Sequence, residues 1–188
     1  MGAIVQAISK NGVTVPFLNH GTTSKLDISF FARSIYGERT LLDSAKKRFS
    51  NFLGETRPSK KREILMSIVS DLERAANKKG ASPETYFFLG IAYTLSGRWG
   101  SATATASHLA ENGQTGFAHH LSFFIWLKLG STFMNTSQRD ESNTLVPQNY
   151  REESKSCAQK AMVVRSEAQK ALSVENLPPL ARRIIYQE

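Results

Sequence analysis

The sequence predicts a mainly α-helical fold of about seven to eight helices with a short β-hairpin at its N-terminus. Three observations carry that expectation. Apolar residues recur at helical spacing from about residue 24 onward. Asn11-Gly12 is followed by the alternation Val13, Val15, Phe17, the pattern of a tight turn leading into a half-buried strand. Residues 115–134 are apolar nearly all round, the composition of a helix covered on several sides.

Ile4 and Ile8 complete the hairpin on the other side of Asn11-Gly12. Residues 1–22 are accordingly expected to form an arm, because an isolated two-stranded ladder is marginal in water and needs a partner. Ile28, Phe31, Ala32 and Ile35 predict a first helix, with Ser24 as cap and Gly37 as stop. Leu41, Leu42, Ala45, Phe49, Phe52 and Leu53 predict a second, closed by Gly54. Ile64, Leu65, Ile68, Val69, Leu72 and Ala76 predict a third, from near Ser59 to Gly80. Ser82 then caps a helix over 83–96 that starts on Pro83, whose missing N–H costs nothing in a first turn. Gly97 turns the chain into a helix from Trp99 to Glu111. After the apolar helix, residues 135–146 read as a polar exposed loop. Pro147 opens a long helix striped by Tyr150, Cys157, Ala161, Val164, Ala168 and Leu172. Pro178-Pro179 ends it, and a short basic helix closes the chain, so residues 23–177 form the expected helical domain and 178–188 its C-terminal appendage.

The stretch SPETYFFLGIAYTLSGRWGSATATASHLAENG resembles the helix–turn–helix of the tetratricopeptide family. The signature roles fall on Tyr86, Leu89, Gly90, Tyr93, Gly97 and Ala102. Gly90 and Ala102 are expected to let two antiparallel helices approach, while Tyr86, Leu89 and Tyr93 fill the space between hairpins. Ala106, Leu109 and Gln114 depart from the family pattern. The resemblance covers one clear repeat over residues 83–112. A weaker unit starts at Phe117 and is completed by the helix ending SEAQKALSVENLPP. Another precedes, with residues 59–79 as a second helix lacking an obvious first. It implies an antiparallel hairpin stack whose first helices face a groove for a peptide or helix. Here that face would present Glu84, Phe87, Ile91, Thr94 and Leu95, an apolar set suited to an apolar or helical ligand, or else to a helix of the same chain.

Net charge is +8, and residues 38–79 hold eleven basic against six acidic residues. Lys46-Lys47-Arg48 and Lys60-Lys61-Arg62 could align on neighbouring helices as a basic patch for an acidic partner. No helix-turn-helix, RRM or KH pattern accompanies them, so nucleic acid is not the favoured partner. Adjacent residues on a helix point about 100° apart, so His119-His120 do not chelate one ion together and no metal site is predicted. Cys157 reads as a small buried hydrophobe, and Glu152-Glu153 and Asp140-Glu141 as solvated pairs. No catalytic residue and no cofactor is predicted. A single cysteine and no secretory-type leader point to a reducing, cytoplasmic setting.

The expected function is therefore a non-enzymatic protein–protein interaction module, an adaptor or chaperone. Its partner would be another protein, acidic or presenting an apolar helix. The alternatives are an assembly subunit that self-associates through the N-terminal hairpin, and a binder of nucleic acid or anionic surfaces through the basic residues 46–62.

Overall fold

A computed structural model describes residues 5–8, 14–17, 37–139 and 146–186. The chain divides into two compact units, 1–36 and 37–188. In the first unit β1 (Val5–Ile8) pairs antiparallel with β2 (Thr14–Phe17), Val5 opposite Phe17 and Ile8 opposite Thr14. The turn expected at Asn11-Gly12 and the helix expected over 24–36 lie outside the described residues.

The second unit is mainly α. Its helices are α1 (Glu38–Gly54), α2 (Pro58–Ala76), α3 (Pro83–Leu95), α4 (Trp99–Glu111), α5 (Thr115–Arg139), α6 (Val146–Ala171) and α7 (Pro179–Tyr186), with one 3₁₀ turn at Val174–Asn176. Short local devices delimit them. Glu55 accepts hydrogen bonds from Arg57 and Thr56 in the link between α1 and α2, and the Arg57 bonds hold its carboxyl down at about 2. Ser82 caps α3 by accepting from Thr85 N–H at 3.3 Å. α3 ends in a Schellman turn, with Gly97 at φ +73° and Arg98 N–H donating to Tyr93 C=O at 2.9 Å. The same device recurs after α4, where Gln114 N–H donates to Leu109 C=O at 2.8 Å.

Consecutive helices pair antiparallel as α1/α2, α3/α4 and α5/α6. Ser44 meets Asp71 where Arg48 meets Ser67, Tyr86 near the start of α3 meets His108 near the end of α4, and Gly116 faces Leu172 where Gly130 faces Cys157, so the members of each pair run in opposite directions. α1 is thus the antiparallel partner of the helix expected from near Ser59. The first helices of the hairpins also touch one another. Phe49 of α1 meets Phe88 of α3 at 5.8 Å, and Phe87 of α3 stacks on Phe117 of α5 at 4.7 Å. Glu38 at the start of α1 accepts from Ser82 Oγ at 2.7 Å and from the Thr85 hydroxyl. Burial works against ionisation there, but these bonds outweigh it and hold the Glu38 carboxyl below its ordinary range.

Gly90 corrects one expectation. A Cβ at Gly90 would stand 2.2 Å from Leu121 Cδ2. The glycine therefore makes room for a side chain of α5, the first helix of the next hairpin, and not for Ala102 across its own. The polar run after Met134 corrects another. α5 continues to Arg139, and within the expected loop the Thr136 hydroxyl donates to the Thr132 carbonyl four residues earlier, the bond such a residue makes inside a helix. The far end of α5 is also less covered than its composition suggests, with Leu127 and Met134 exposed. No described helix is long and apolar enough to cross a membrane.

Candidate functional site

The five groove residues proposed from sequence do not line an open surface. Phe87 and Ile91 are wholly buried, Thr94 is buried and donates its hydroxyl to Gly90 C=O at 2.8 Å, and Leu95 is partly buried. Glu84 is tied to Lys46 at 2.8 Å. The face exists on α3, but it is filled from within the chain.

The basic residues are brought together only in part. Lys46 lies over the Phe88 ring at 5.4 Å besides pairing with Glu84. Arg48 Nη1 reaches Asp71 Oδ2 at 2.9 Å, and that carboxylate is buried. Lys61 lies over the Phe52 ring at 5.2 Å. Lys47, Lys60 and Arg62 are exposed. Because Arg48 stands opposite Ser67, residues 60–62 lie well beyond residues 46–48 along the helix pair, so the two clusters form no continuous strip. Two of the six cations neutralise carboxylates of the chain itself, which leaves less charge for an external anion than the sequence suggests.

An open cleft appears instead on the other side of α3. α2 and α4 barely touch each other, and α3 forms the floor between them. The floor is Tyr86, Leu89 and Tyr93, the motif positions expected to fill the gap between hairpins. They do not fill it, because the wall they meet on α4 is Ser101, Ala104 and Thr105, too small to close the space. The cleft has a volume of about 560 Å³, and a second hollow of about 330 Å³ adjoins it past Tyr86 and His108. Its polar groups are fixed. Tyr86 Oη donates to Ala76 C=O at 3.1 Å, and its ring meets the His108 ring at 4.5 Å. Tyr93 Oη donates to Glu73 Oε1 at 3.0 Å, and Arg98 Nη1 donates to the same oxygen at 3.1 Å. Burial, reinforced by that carboxylate, raises the Tyr93 phenol, so it remains a donor at neutral pH. Such a surface offers rigid amphipathic rings and fixed polar edges to a side chain laid into it. No family model, curated protein or solved structure matches the chain.

The sequence reading missed Glu73, Asn77 and His108 as cleft residues. The available signal was the small-residue spacing Ser101, Ala104, Thr105 facing two tyrosines one hairpin turn away. It also missed what His120 does. His120 is wholly buried; its Nε2 lies 2.9 Å from Leu172 C=O and its Nδ1 2.7 Å from Tyr186 Oη. A carbonyl only accepts, so Nε2 carries the proton and Nδ1 accepts from the tyrosine. One imidazole thereby joins α5, the end of α6 and α7. Among the described residues no group of three or more His, Cys, Asp or Glu could hold a metal ion. Cys157 is buried, and burial pushes its thiol up, away from the thiolate.

Burial lowers the His120 pKa, with a smaller effect in the same direction from neighbouring His119. The unfolded chain then takes up the proton first as pH falls. The contribution of neutral His120 is complete above the ordinary imidazole value of about 6.5 and declines below it, down to the folded-state value. Urea unfolding at about pH 7.5 and about pH 5.5 is expected to show this loss in the parent chain and a shallower one in His120→Gln. Equal losses in both would assign the pH dependence elsewhere.

Proposed function

We propose that this chain is a non-catalytic protein–protein interaction module, a stack of three helical hairpins of tetratricopeptide type, and that the cleft between α2 and α4 receives side chains of a partner protein. One observation carries the reading: Tyr86, Leu89 and Tyr93, which would close the gap between successive hairpins, instead face small residues and stand open to a ligand. The stack itself is supported by the parallel contacts of α1 with α3 and of α3 with α5, and by Gly90 seating Leu121 of the following hairpin. The cleft's mixed apolar and hydrogen-bonding lining suits an aromatic or aliphatic anchor on an extended or helical segment.

The test places a photo-crosslinking residue at Ser101, inside the cleft, and at Gln169 on the exposed side of α6. Protein adducts are expected from the first position only. Ala104→Trp fills the cleft and is expected to reduce them about tenfold, a loss of roughly 1.4 kcal/mol of binding, without lowering the melting temperature. Identical adducts from both positions, insensitive to Ala104→Trp, would remove the cleft from the reading.

A second reading is supported by β1 and β2. Among the described residues β1 pairs with β2 alone, an arrangement that suits an assembly subunit adding strands to a copy of itself. A monomeric mass at micromolar concentration, unchanged when residues 1–22 are deleted, would exclude it.

A further inference from the structure

The cleft between α2 and α4 and the hollow beside it share one crossbar. Tyr86 and His108 line both compartments. The Tyr86 ring meets the His108 ring of α4 at 4.5 Å, while its hydroxyl donates to the Ala76 carbonyl at the end of α2 at 3.1 Å. One tyrosine thereby reaches both walls. The two compartments differ in chemistry. In the cleft, Tyr93 donates its hydroxyl to Glu73 Oε1 at 3.0 Å, and Thr105 donates its own to the Ser101 carbonyl at 2.8 Å. Arg98 reaches the same Glu73 Oε1 at 3.1 Å, whereas no hydrogen bond or ion pair reaches Oε2 among the described residues. Ser101 and Asn77 can donate or accept. The charged group left open in the cleft is therefore an acceptor, beside the apolar floor of Leu89 and Tyr93. The hollow is the reverse. No carboxylate lines it; Lys78 does, together with Gln114, whose side-chain amide makes no hydrogen bond among the described residues.

We infer that the partner segment received here carries a donor-tipped aromatic side chain, tyrosine or tryptophan, close to a carboxylate. The ring enters the cleft with its O–H or N–H toward Glu73 Oε2, and the carboxylate enters the hollow beside Lys78 and Gln114. The inference rests on the interaction-module reading and names the ligand chemistry of its cleft. An aromatic body covers Leu89 and lies against the Tyr93 ring, a contact that adds to the area it buries. A plain apolar ring fits less well, because it strips water from Glu73 Oε2 and returns no hydrogen bond. A cation also fits less well, because Arg98 already neutralises Glu73 and a second positive charge would oppose it. The hollow favours an acceptor for the mirror reason, and the net charge of +8 draws an acidic segment toward the chain. The compartments share the Tyr86–His108 pair, so the two anchors are near neighbours. Side chains i and i+2 of an extended segment lie on one face and meet that requirement.

A fluorescein-labelled peptide, Gly-Ala-Tyr-Ala-Asp-Ala-Gly, is titrated into the full chain beside two versions, one with phenylalanine for its tyrosine and one with alanine for its aspartate. Each change is expected to weaken binding about fivefold, the size of one net hydrogen bond. The preference for tyrosine is expected to vanish in Glu73→Met and to persist in Gln114→Leu. The preference for aspartate is expected to fall to about twofold in Gln114→Leu and to persist in Glu73→Met. That crossed pattern assigns each anchor to its compartment. Equal affinity for the three peptides, no binding below about 1 mM, or preferences unmoved by both substitutions overturns the proposal. The comparison of peptides on the parent chain decides the matter even where a variant melts early. The two readings fail separately. Adducts from Ser101 that are lost in Ala104→Trp, yet map to partner segments without an aromatic–acid pair, would reject this ligand chemistry and leave the cleft standing. Peptide binding indifferent to Ala104→Trp would remove the cleft, and this inference with it.

Discussion

Arg48→Met is expected to lower the stability of the helical unit by about 2–3 kcal/mol, the largest effect foreseen for any charged residue of the chain. The Asp71 side chain is only 5% exposed, and its Oδ2 is held by Arg48 at 2.9 Å and by Ser44 Oγ at 3.3 Å. Methionine preserves the apolar stem of the arginine and removes only its charge and donors. The loss therefore reports a buried carboxylate left with a single weak donor, not a packing defect. Asp71→Asn in the same background is expected to recover more than half of it, because a neutral amide carries a smaller desolvation penalty. Lys47→Met, one residue away but exposed, is expected to change stability by less than about 0.5 kcal/mol. Urea denaturation of the four proteins decides the matter, and equal midpoints for Arg48→Met and Lys47→Met would show that the ion pair contributes nothing. The same comparison bears on function. An arginine committed to Asp71 is a structural cation, so anion binding through residues 46–62 would draw on Lys47, Lys60, Lys61 and Arg62 rather than on Arg48.

Local signals were legible in the sequence and distant ones were not. The hairpin of α3 and α4 could be delimited to within a residue or so, because Ser82-Pro83, Gly97 and Gly113 act on their immediate neighbours through caps and left-handed turns. The stripes of α1 and α2 were equally readable, since helical periodicity is set within a single element. What each face meets was not. Phe87 carries the pattern of a ligand-facing surface whether its neighbour is foreign or is Phe117, thirty residues downstream. His120 looked like the edge of an apolar helix, because its partners Leu172 and Tyr186 are 52 and 66 residues away. The basic clusters failed in the same manner: their charge is evident in the sequence, while the carboxylates that consume it, Glu84 and Asp71, become neighbours only on folding. The cleft escaped notice because it is a deficit of volume, visible once Ser101 and Ala104 are seen opposite Tyr86 and Tyr93.

Leu121→Ala is expected to cost about 3 kcal/mol, the usual range for truncating a wholly buried leucine being roughly 2–5. Its coupling to Gly90 carries more information than its size. Gly90→Ala alone would set a methyl 2.2 Å from Leu121 Cδ2 and 3.0 Å from Cδ1. Leu121 is enclosed in the core and cannot swing into solvent to relieve the overlap. The strain, about 1–3 kcal/mol for an added methylene in a packed site, is expected to exceed the gain of about 1 kcal/mol that alanine brings to a helix interior. Once Leu121 has been cut back, the added methyl enters a void, and Gly90→Ala should turn stabilising by about 1 kcal/mol. The sign reversal is the prediction, and a double-mutant cycle in urea measures it. Additive effects would mean that Gly90 does not seat Leu121, and the close parallel approach of α3 to α5 would lose its explanation. A matching cycle with Ala102→Gly is expected to show no coupling, since the glycine serves the contact between successive hairpins and not the closure of its own.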